Sequence, residues 1–325
     1  MPSNKAMLFQ KLTKKYSLLT IFFLVLLQSS SVFAVENPLN TIPLEGNPYS
    51  SFFVETYRLY VISKEQNRMY VINTNTNKFY STVRVDNGPT VALSFNNRIY
   101  IANSEDNAVS TFYTSGGYKT KVIVGSGPVG LVGVGTTLYV TSFDDTISVI
   151  DSGADSRFKN IKLVAGVTSQ YFTVTGNRIF LHHPLNNSVS VWSTSSNSVI
   201  KNFAVGQSPQ MSVLVGKKLY VINSKSNDIS VVNIDTYSPL KTISVGSAPM
   251  YAILSGTKLY VLNTESSNIS IIDTVTDTVL KTVVVGKNPT SMVTSGDFVY
   301  VTNAEDDSVS FFDTKTETVT KTIPV

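Results

Sequence analysis

The only two imidazoles of the chain are adjacent, at His182 and His183, and they are the first candidates for metal binding or general base catalysis. On a β-strand, however, neighbouring side chains point to opposite faces of the sheet. Pro184 also favours an extended backbone at His183. The two rings therefore cannot readily bind one ion together. We predict a structural or surface role for both, and we expect no catalytic residue, metal or cofactor.

Composition excludes several other kinds of site. The chain has no cysteine, so it can form no disulfide, thiolate metal site or covalently attached c-type haem. Residues 1–34 hold four of the 26 Lys and Arg residues and none of the 22 Asp and Glu residues, which leaves no formal net charge on the rest of the chain. A bulk basic surface for nucleic acid or anionic membranes is therefore not expected.

The first 34 residues have the pattern of a signal peptide. Lys5, Lys11, Lys14 and Lys15 precede an apolar run at residues 18–27, and residues 32–34 end in a small residue suited to cleavage. The apolar run is shorter than the roughly 20 residues that a membrane span needs. We expect cleavage before Val35 and a periplasmic or extracellular protein without an integral membrane segment; the alternative is an uncleaved anchor.

A five-residue fragment recurs seven times at intervals close to 40 residues. The copies are Leu59–Ser63, Ile99–Asn103, Leu138–Ser142, a degenerate Ile179–His183, Leu219–Asn223, Leu259–Asn263 and Val299–Asn303. A Gly-x-x-Pro turn precedes most copies and two further strand patterns follow, which gives four short strands per unit. We predict an all-β fold, a seven-bladed β-propeller with four antiparallel strands per blade, because stacked blades cover both faces of each sheet.

The repeat divides the chain after the signal peptide. Residues 35–45 form an N-terminal segment with a possible closure strand, and the predicted blades are about 46–85, 86–124, 125–165, 166–205, 206–245, 246–285 and 286–325. The segment 41–44 resembles residues 322–325, so two segments compete for the outer strand of the last blade. Closing a ring of about 280 residues costs roughly 3 to 4 kcal/mol. We therefore predict that residues 319–325 pair with the third strand of the last blade and that 41–44 lie outside it.

The tetrapeptide Tyr300-Val301-Thr302-Asn303, the Gly-x-x-Pro turn and the Asp-Thr-x-Thr turns at Asp273 and Asp313 occur together. In this combination the chain resembles the YVTN family of β-propeller repeats over all of its length after the signal peptide. The resemblance implies the propeller fold. It implies no single function, because related propellers include periplasmic proteins of the YncE type, surface-layer proteins and relatives of lactonases and haem-d1 enzymes. Blade 4 departs most, with Ser169 in place of the turn proline.

One residue type ends the second strand of most blades and could form a ring on one face of the propeller. The ring consists of Ser63, Asn103, Ser142, His183, Asn223, Asn263 and Asn303. These side chains could surround a ligand with amide donors. The favoured alternative is that they satisfy the backbone of their own tight turns, which is the common role of Asn and Ser.

The first strand of each blade is expected to line a central channel. The residue that follows each turn proline, or its equivalent, gives the wall: Tyr49, Thr90, Val129, Gln170, Gln210, Met250 and Thr290. None of them is charged, whereas a metal, haem or hydrolytic site would place His, Arg or a carboxylate there. The wall can hold a small neutral molecule or water.

Acidic residues concentrate in the turns between the second and third strands. They are Glu105, Asp106, Asp144, Asp145, Glu265, Glu305, Asp306 and Asp307. A sector of like charge would steer a cationic partner to this face. The alternative is a solvated rim that keeps the protein soluble.

Three functions remain open from the sequence. The leading hypothesis is a non-enzymatic, monomeric scaffold that binds a protein, peptide or glycan through the turns of one face. The second is lactonase-like or lyase-like chemistry at the central axis, which needs His183 to meet a carboxylate of a neighbouring blade. The third is binding of single-stranded nucleic acid, which needs exposed aromatic residues beside a basic track and is the weakest of the three.

Overall fold

A computed structural model describes residues 48–324 of the chain, with gaps at 55–57, 74–75, 77, 115–116 and 164–171. Every regular element in these described ranges is a β-strand. Among the same residues there is no helix that is long and apolar enough to span a membrane. The chain divides into two compact units, Met1–Lys121 and Val122–Val325.

The first unit contains two four-stranded sheets. Blade 1 consists of β1 (Pro48–Val54), β2 (Arg58–Ser63), β3 (Arg68–Asn73) and β4 (Lys78–Arg84). Blade 2 consists of β5 (Pro89–Phe95), β6 (Arg98–Asn103), β7 (Ala108–Tyr113) and β8 (Tyr118–Ile123), and the unit boundary falls within β8.

The second unit contains five further sheets of the same kind. Blade 3 has β9 (Pro128–Val134), β10 (Thr137–Ser142), β11 (Thr146–Asp151) and β12 (Ser156–Lys162); blade 4 has β13 (Thr173–Thr175), β14 (Arg178–His183), β15 (Ser188–Ser193) and β16 (Ser198–Ala204). Blade 5 has β17 (Pro209–Val215), β18 (Lys218–Asn223), β19 (Asp228–Asn233) and β20 (Pro239–Ser244). Blade 6 has β21 (Pro249–Ser255), β22 (Lys258–Asn263), β23 (Asn268–Asp273) and β24 (Thr278–Val284), and blade 7 has β25 (Pro289–Ser295), β26 (Phe298–Asn303), β27 (Ser308–Asp313) and β28 (Thr318–Pro324).

The four strands of each sheet are neighbours in chain order, and the pairs are antiparallel. The protein is a seven-bladed β-propeller, as the repeat predicted. We call the strands of each blade A to D in chain order, the connection from B to C the BC turn, that from C to D the CD turn, and the Gly-x-x-Pro segment before strand A the entry turn.

Burial explains why strands B and C lack a strict apolar and polar alternation. In β18, Leu219, Tyr220, Val221 and Ile222 are all fully buried, although successive side chains point to opposite faces. Each face is covered by a neighbouring blade; one core cluster joins Ile222 and Val231 of blade 5 to Leu259 and Val261 of blade 6. Both faces of the sheet are therefore core, which favours β-branched and aromatic residues at every position.

Strand D is the exposed edge of each blade, and a β-bulge interrupts it. In blades 4 to 6 the register shift leaves one residue unpaired, namely Ile200, Leu240 or Leu280, and each of these is half exposed. A bulge twists the edge and so hinders pairing with other chains.

The C-terminal segment forms the outer strand of the last blade. Strand β28 pairs with β27 in the register Val309↔Ile323 and Phe311↔Lys321. The prediction for this segment is thus confirmed up to Pro324. The competing segment 41–44 lies outside the described residues.

Candidate functional site

All seven residues of the predicted ring end strand B, but their side chains point into the blades. Each is at most 2% exposed. In blade 5, Asn223 Nδ2 donates to Asp228 Oδ1 at 2.7 Å and to Ser230 Oγ at 3.0 Å. Asn263 and Asn303 donate to Ser270 and Ser310 in the same way, at 2.9 Å. The amide donors are therefore used within each blade, as Asn commonly does near tight turns.

The serine that accepts from the ring residue also holds the entry turn. Ser230 Oγ accepts from the Gly206 main-chain N–H at 3.1 Å, and Ser310 Oγ accepts from that of Gly286 at 3.3 Å. A Cβ added to Gly206 would lie 2.5 Å from Asn223 Nδ2. The glycine of the entry turn is required because the ring side chain packs directly against it.

The two histidines separate as the strand geometry predicted. His182 Nε2 lies 2.9 Å from Ser212 Oγ on strand A of the next blade, whereas His183 Nε2 lies 2.5 Å from Ser190 Oγ of its own blade. Both rings are buried. Burial lowers the pKa of His183, and the Asp145 carboxylate opposes that shift only in part. Among the described residues, no group of three His, Asp or Glu side chains could hold a metal ion.

The acidic turn residues fall into two classes. Asp106, Asp144 and Asp306 accept a hydrogen bond from the second N–H of the entry turn, at 3.2, 2.9 and 2.7 Å. Ser226 and Ser266 accept the corresponding bond in blades 5 and 6. In these three blades an aspartate therefore accepts the hydrogen bond that a serine accepts in blades 5 and 6. Asp106 is also ion-paired with Lys121, and the hydrogen bond from Lys121 lowers its pKa.

Other acidic residues point into solvent. Glu105 is exposed in the first unit, and Glu265, Glu305 and Asp307 are exposed in the second. Asp145 is half-buried and has a left-handed backbone, with φ of 62°. The exposed side chains Glu105, Glu265, Glu305 and Asp307 are the candidates for contact with a partner.

In the six blades whose strand A is described from its proline onward, the predicted channel residue occupies a β-bulge at the start of that strand. In blade 5, Pro209 pairs with Asn223 and Met211 with Ile222, so Gln210 is the unpaired residue between them. Its amide turns back to Ser208 and Ser224.

The other wall residues differ in exposure. Met250 is 40% exposed and Thr290 is half-buried, whereas Thr90 and Val129 are buried. The Tyr49 side chain and Gln170 lie outside what the structure describes. The strands A of blades 5, 6 and 7 lie side by side, so Gln210, Met250 and Thr290 occupy equivalent places on neighbouring strands.

The sequence interpretation missed a contact that joins consecutive blades at the CD turns, which we call the clasp. In the second unit, Tyr220 OH lies 2.5 Å from Asp277 Oδ1 of the next blade, and Lys218 Nζ lies 2.7 Å from Asp277 Oδ2. Lys258 contacts Glu317 in the same manner. Burial first, and the Asp277 carboxylate second, raise the pKa of Tyr220. A basic residue two positions before the repeated tyrosine was the available signal.

Blade 2 differs from blades 3, 5, 6 and 7 at the first residue of the entry turn. Asp86 stands where blades 5 and 7 have glycine, and it accepts a hydrogen bond from Ser110 Oγ. Lys121 lies 3.4 Å from the same carboxylate. Ser110 is fully buried and also accepts from Asn103, whereas Asp86 and Lys121 are partly exposed; the three side chains join strands C and D of blade 2 to its entry turn.

Neither a protein-family model nor a curated protein sequence matches the chain. Solved structures do match. The computationally designed protein Ika8 has a TM-score of 0.75 at 14% identity, over 86% of this chain and 89% of Ika8. These matches share the propeller fold.

Two natural proteins give similar values. Dihydro-heme d1 dehydrogenase NirN, solved in complex with DHE, has a TM-score of 0.73 at 12% identity over 88% of this chain; the match spans 66% of NirN. Apo AztD from Citrobacter koseri has a TM-score of 0.69 at 14% identity over 89% of each chain. Because identities this low carry the fold alone, they assign no activity to this chain.

Proposed function

We propose that this protein is an exported, non-enzymatic propeller of the YVTN type, and that it binds a protein, peptide or glycan partner through its BC and entry turns. The observation that carries the proposal lies in the second unit. There the turns share one framework, whereas their exposed tips differ from blade to blade.

The framework is the hydrogen bond between the two turns of a blade. Asp144, Ser226, Ser266 and Asp306 each accept from an entry-turn N–H, so four blades hold the BC turn in the same place. Adjacent blades are also tied, since Asn227 Oδ1 accepts from the Ala248 N–H at 2.9 Å. Rigid turns of this kind suit recognition because little conformational entropy is lost on binding.

The exposed tips carry the chemical variety. The second residue of the BC turn is Leu185 in blade 4, Lys225 in blade 5, Glu265 in blade 6 and Glu305 in blade 7, and all four are exposed. In the shorter turn of blade 3, Phe143 is 40% exposed. A constant scaffold with variable surface residues is the usual arrangement of a binding face.

The chemistry of these tips favours a cationic partner that also carries apolar groups. Blades 6 and 7 supply Glu265, Glu305 and Asp307, and blades 3 and 4 supply the exposed apolar side chains Phe143 and Leu185. His183, the imidazole that the enzyme alternative needs, is 2% exposed and contacts Ser190, which supports a non-enzymatic role.

The test compares two variants that each remove three charges. Glu265→Gln, Glu305→Gln and Asp307→Asn leave the Asp306 tie intact, whereas Lys201→Gln, Lys241→Gln and Lys281→Gln alter the exposed edge strands. We expect the parent to retain a partner from its own cell envelope in a salt-sensitive manner, the acidic variant to lose it, and the lysine variant to keep it. Equal recovery by all three proteins would contradict the proposed face.

Export of the protein is tested separately from partner binding. We expect protein recovered from its native cells to begin at Val35 and to fractionate outside the cytoplasm. Full-length chain beginning at Met1 in the cytoplasmic fraction would contradict export without bearing on the binding face.

A further inference from the structure

Each of the seven ring side chains carries one buried polar atom that has no hydrogen-bond partner among the described residues. These atoms are Oγ of Ser63 and Ser142, Oδ1 of Asn103, Asn223, Asn263 and Asn303, and Nδ1 of His183. Leaving such an atom unsatisfied costs about 1 to 3 kcal/mol. A cost repeated at the same position of every blade indicates a repeated partner.

The asparagine orientation is set by its neighbours, so the atom in question is an acceptor. Asn223 Nδ2 faces the Asp228 carboxylate, and Asn103 Nδ2 faces the Ile101 carbonyl oxygen at 3.0 Å. Both of those groups only accept hydrogen bonds. A flipped amide would place oxygen against oxygen, and therefore Oδ1 must point toward the remaining, unpartnered side.

In blade 4 the ring residue is a histidine, and it also presents a hydrogen-bond acceptor. Ser190 Oγ donates its only proton to Asn202 Oδ1 at 2.5 Å, and it must therefore accept the proton of His183 Nε2. A neutral imidazole with its proton on Nε2 has a lone pair on Nδ1. His183 thus presents an acceptor where the other blades present an amide oxygen or a hydroxyl.

The opposing strand cannot supply the missing donor. In six blades the residue paired with the ring residue is a proline, namely Pro48, Pro89, Pro128, Pro209, Pro249 and Pro289. Proline has no main-chain N–H. The residue opposite His183 lies outside the described part of blade 4.

We propose that every blade binds one internal water molecule at the end of strand B, which donates a hydrogen bond to the ring residue. Water is the partner of choice because it is the smallest molecule that brings two donors, and buried waters typically make about three hydrogen bonds to otherwise unsatisfied groups. A larger ligand has no access to atoms that are buried this deeply. The proposal is independent of the partner-binding function.

The test counts these waters in a high-resolution crystal structure and in solution, by magnetic relaxation dispersion of ¹⁷O-labelled water. We expect density about 2.7 to 3.2 Å from each of the seven atoms. Asn263→Leu removes one acceptor at similar volume and should lose one long-lived water. Asn233→Leu, at the end of strand C where the side chain caps the CD turn, should lose none.

His183→Asn gives a second, independent readout. The new amide restores the residue of blades 2, 5, 6 and 7, so the water of blade 4 should remain. A parent structure without water at these atoms would overturn the proposal, as would a folded Asn263→Leu protein with the full number of long-lived waters. Should Asn263→Leu fail to fold, the parent and His183→Asn structures still decide the matter.

Discussion

The two ends of the blades in the second unit are joined to their neighbours by different chemistry. At the BC turns the links are neutral and directed at the main chain, as between Asn227 and Ala248. At the CD turns they join charged and aromatic side chains, as between Tyr220 and Asp277. We propose the BC end as the binding face, and this comparison supports that choice. The link between blades at the BC end is neutral, whereas the CD end uses charged side chains to hold blades together.

The largest effect should come from the packing of the entry turn against the ring. A Cβ at Gly286 would lie 2.5 Å from Asn303 Cγ, so we expect Gly286→Ala to lower the free energy of unfolding by about 3 kcal/mol. Gly256 has open space around it and φ of 59°, so Gly256→Ala meets only left-handed strain of about 1 kcal/mol. Denaturant unfolding measures both. Equal losses would mean that the entry turn is less tightly packed than we infer.

Removing a ring amide should have the next largest effect. Asn223→Ala deletes two buried hydrogen bonds, and we expect a loss of about 2 kcal/mol in the free energy of unfolding. Asn233→Ala, at the opposite end of the same blade, removes an exposed cap of the CD turn and should cost about 1 kcal/mol or less. The reverse order in denaturant midpoints would contradict the burial of the ring.

The clasp should contribute less than the ring. Tyr220→Phe removes the hydroxyl that contacts Asp277 and the Thr274 carbonyl oxygen, at an expected cost of about 1 to 1.5 kcal/mol. Tyr80→Phe is the control, because this ring is 64% exposed, and it should leave stability unchanged. A double-mutant cycle with Asp277→Asn isolates the pair. A coupling free energy of zero would show that the contact between Tyr220 and Asp277 does not stabilise the fold.

The smallest effect is a pH dependence located at His183. Burial lowers its pKa in the folded protein below the ordinary value of 6.5. The unfolded chain therefore binds a proton more readily, so the stabilising contribution is complete above pH 6.5 and is lost as the pH falls below it. His183→Asn should flatten the unfolding free energy between pH 7.5 and 5. An unchanged slope would assign the pH dependence to other groups.

Local patterns in the sequence were sufficient for the fold. The spacing of Leu219, Leu259 and Val299 predicted one blade per 40 residues, and the entropic cost of closing a ring of about 280 residues predicted the C-terminal strand correctly. Both features depend on hydrogen bonds between strands that are close in sequence. The register of such strands follows from the pattern of apolar residues and from the turn residues between them, and both can be read from the sequence.

The candidate site could be predicted only in part. Asp306 and Asp307 are adjacent, identical in type and both exposed, yet Asp306 accepts a hydrogen bond from the entry turn, whereas Asp307 has a left-handed backbone with φ of 43°. Their difference follows from the path of the BC turn, which no residue type specifies. The same holds for Asn303: its position at the end of strand B left open a ring around a ligand or a bond within its own turn region, and the structure shows that the side chain points inward.

The sequence by itself determined the number, order and edges of the strands in this protein, because these follow from short-range pairing and from the residues that begin and end each strand. Only the tertiary structure decided which polar groups form hydrogen bonds inside the molecule. The contact between Tyr220 and Asp277 joins residues that are 57 positions apart. Such contacts arise when one finished sheet packs on the next, and their distances depend on twist and stacking that no local pattern contains.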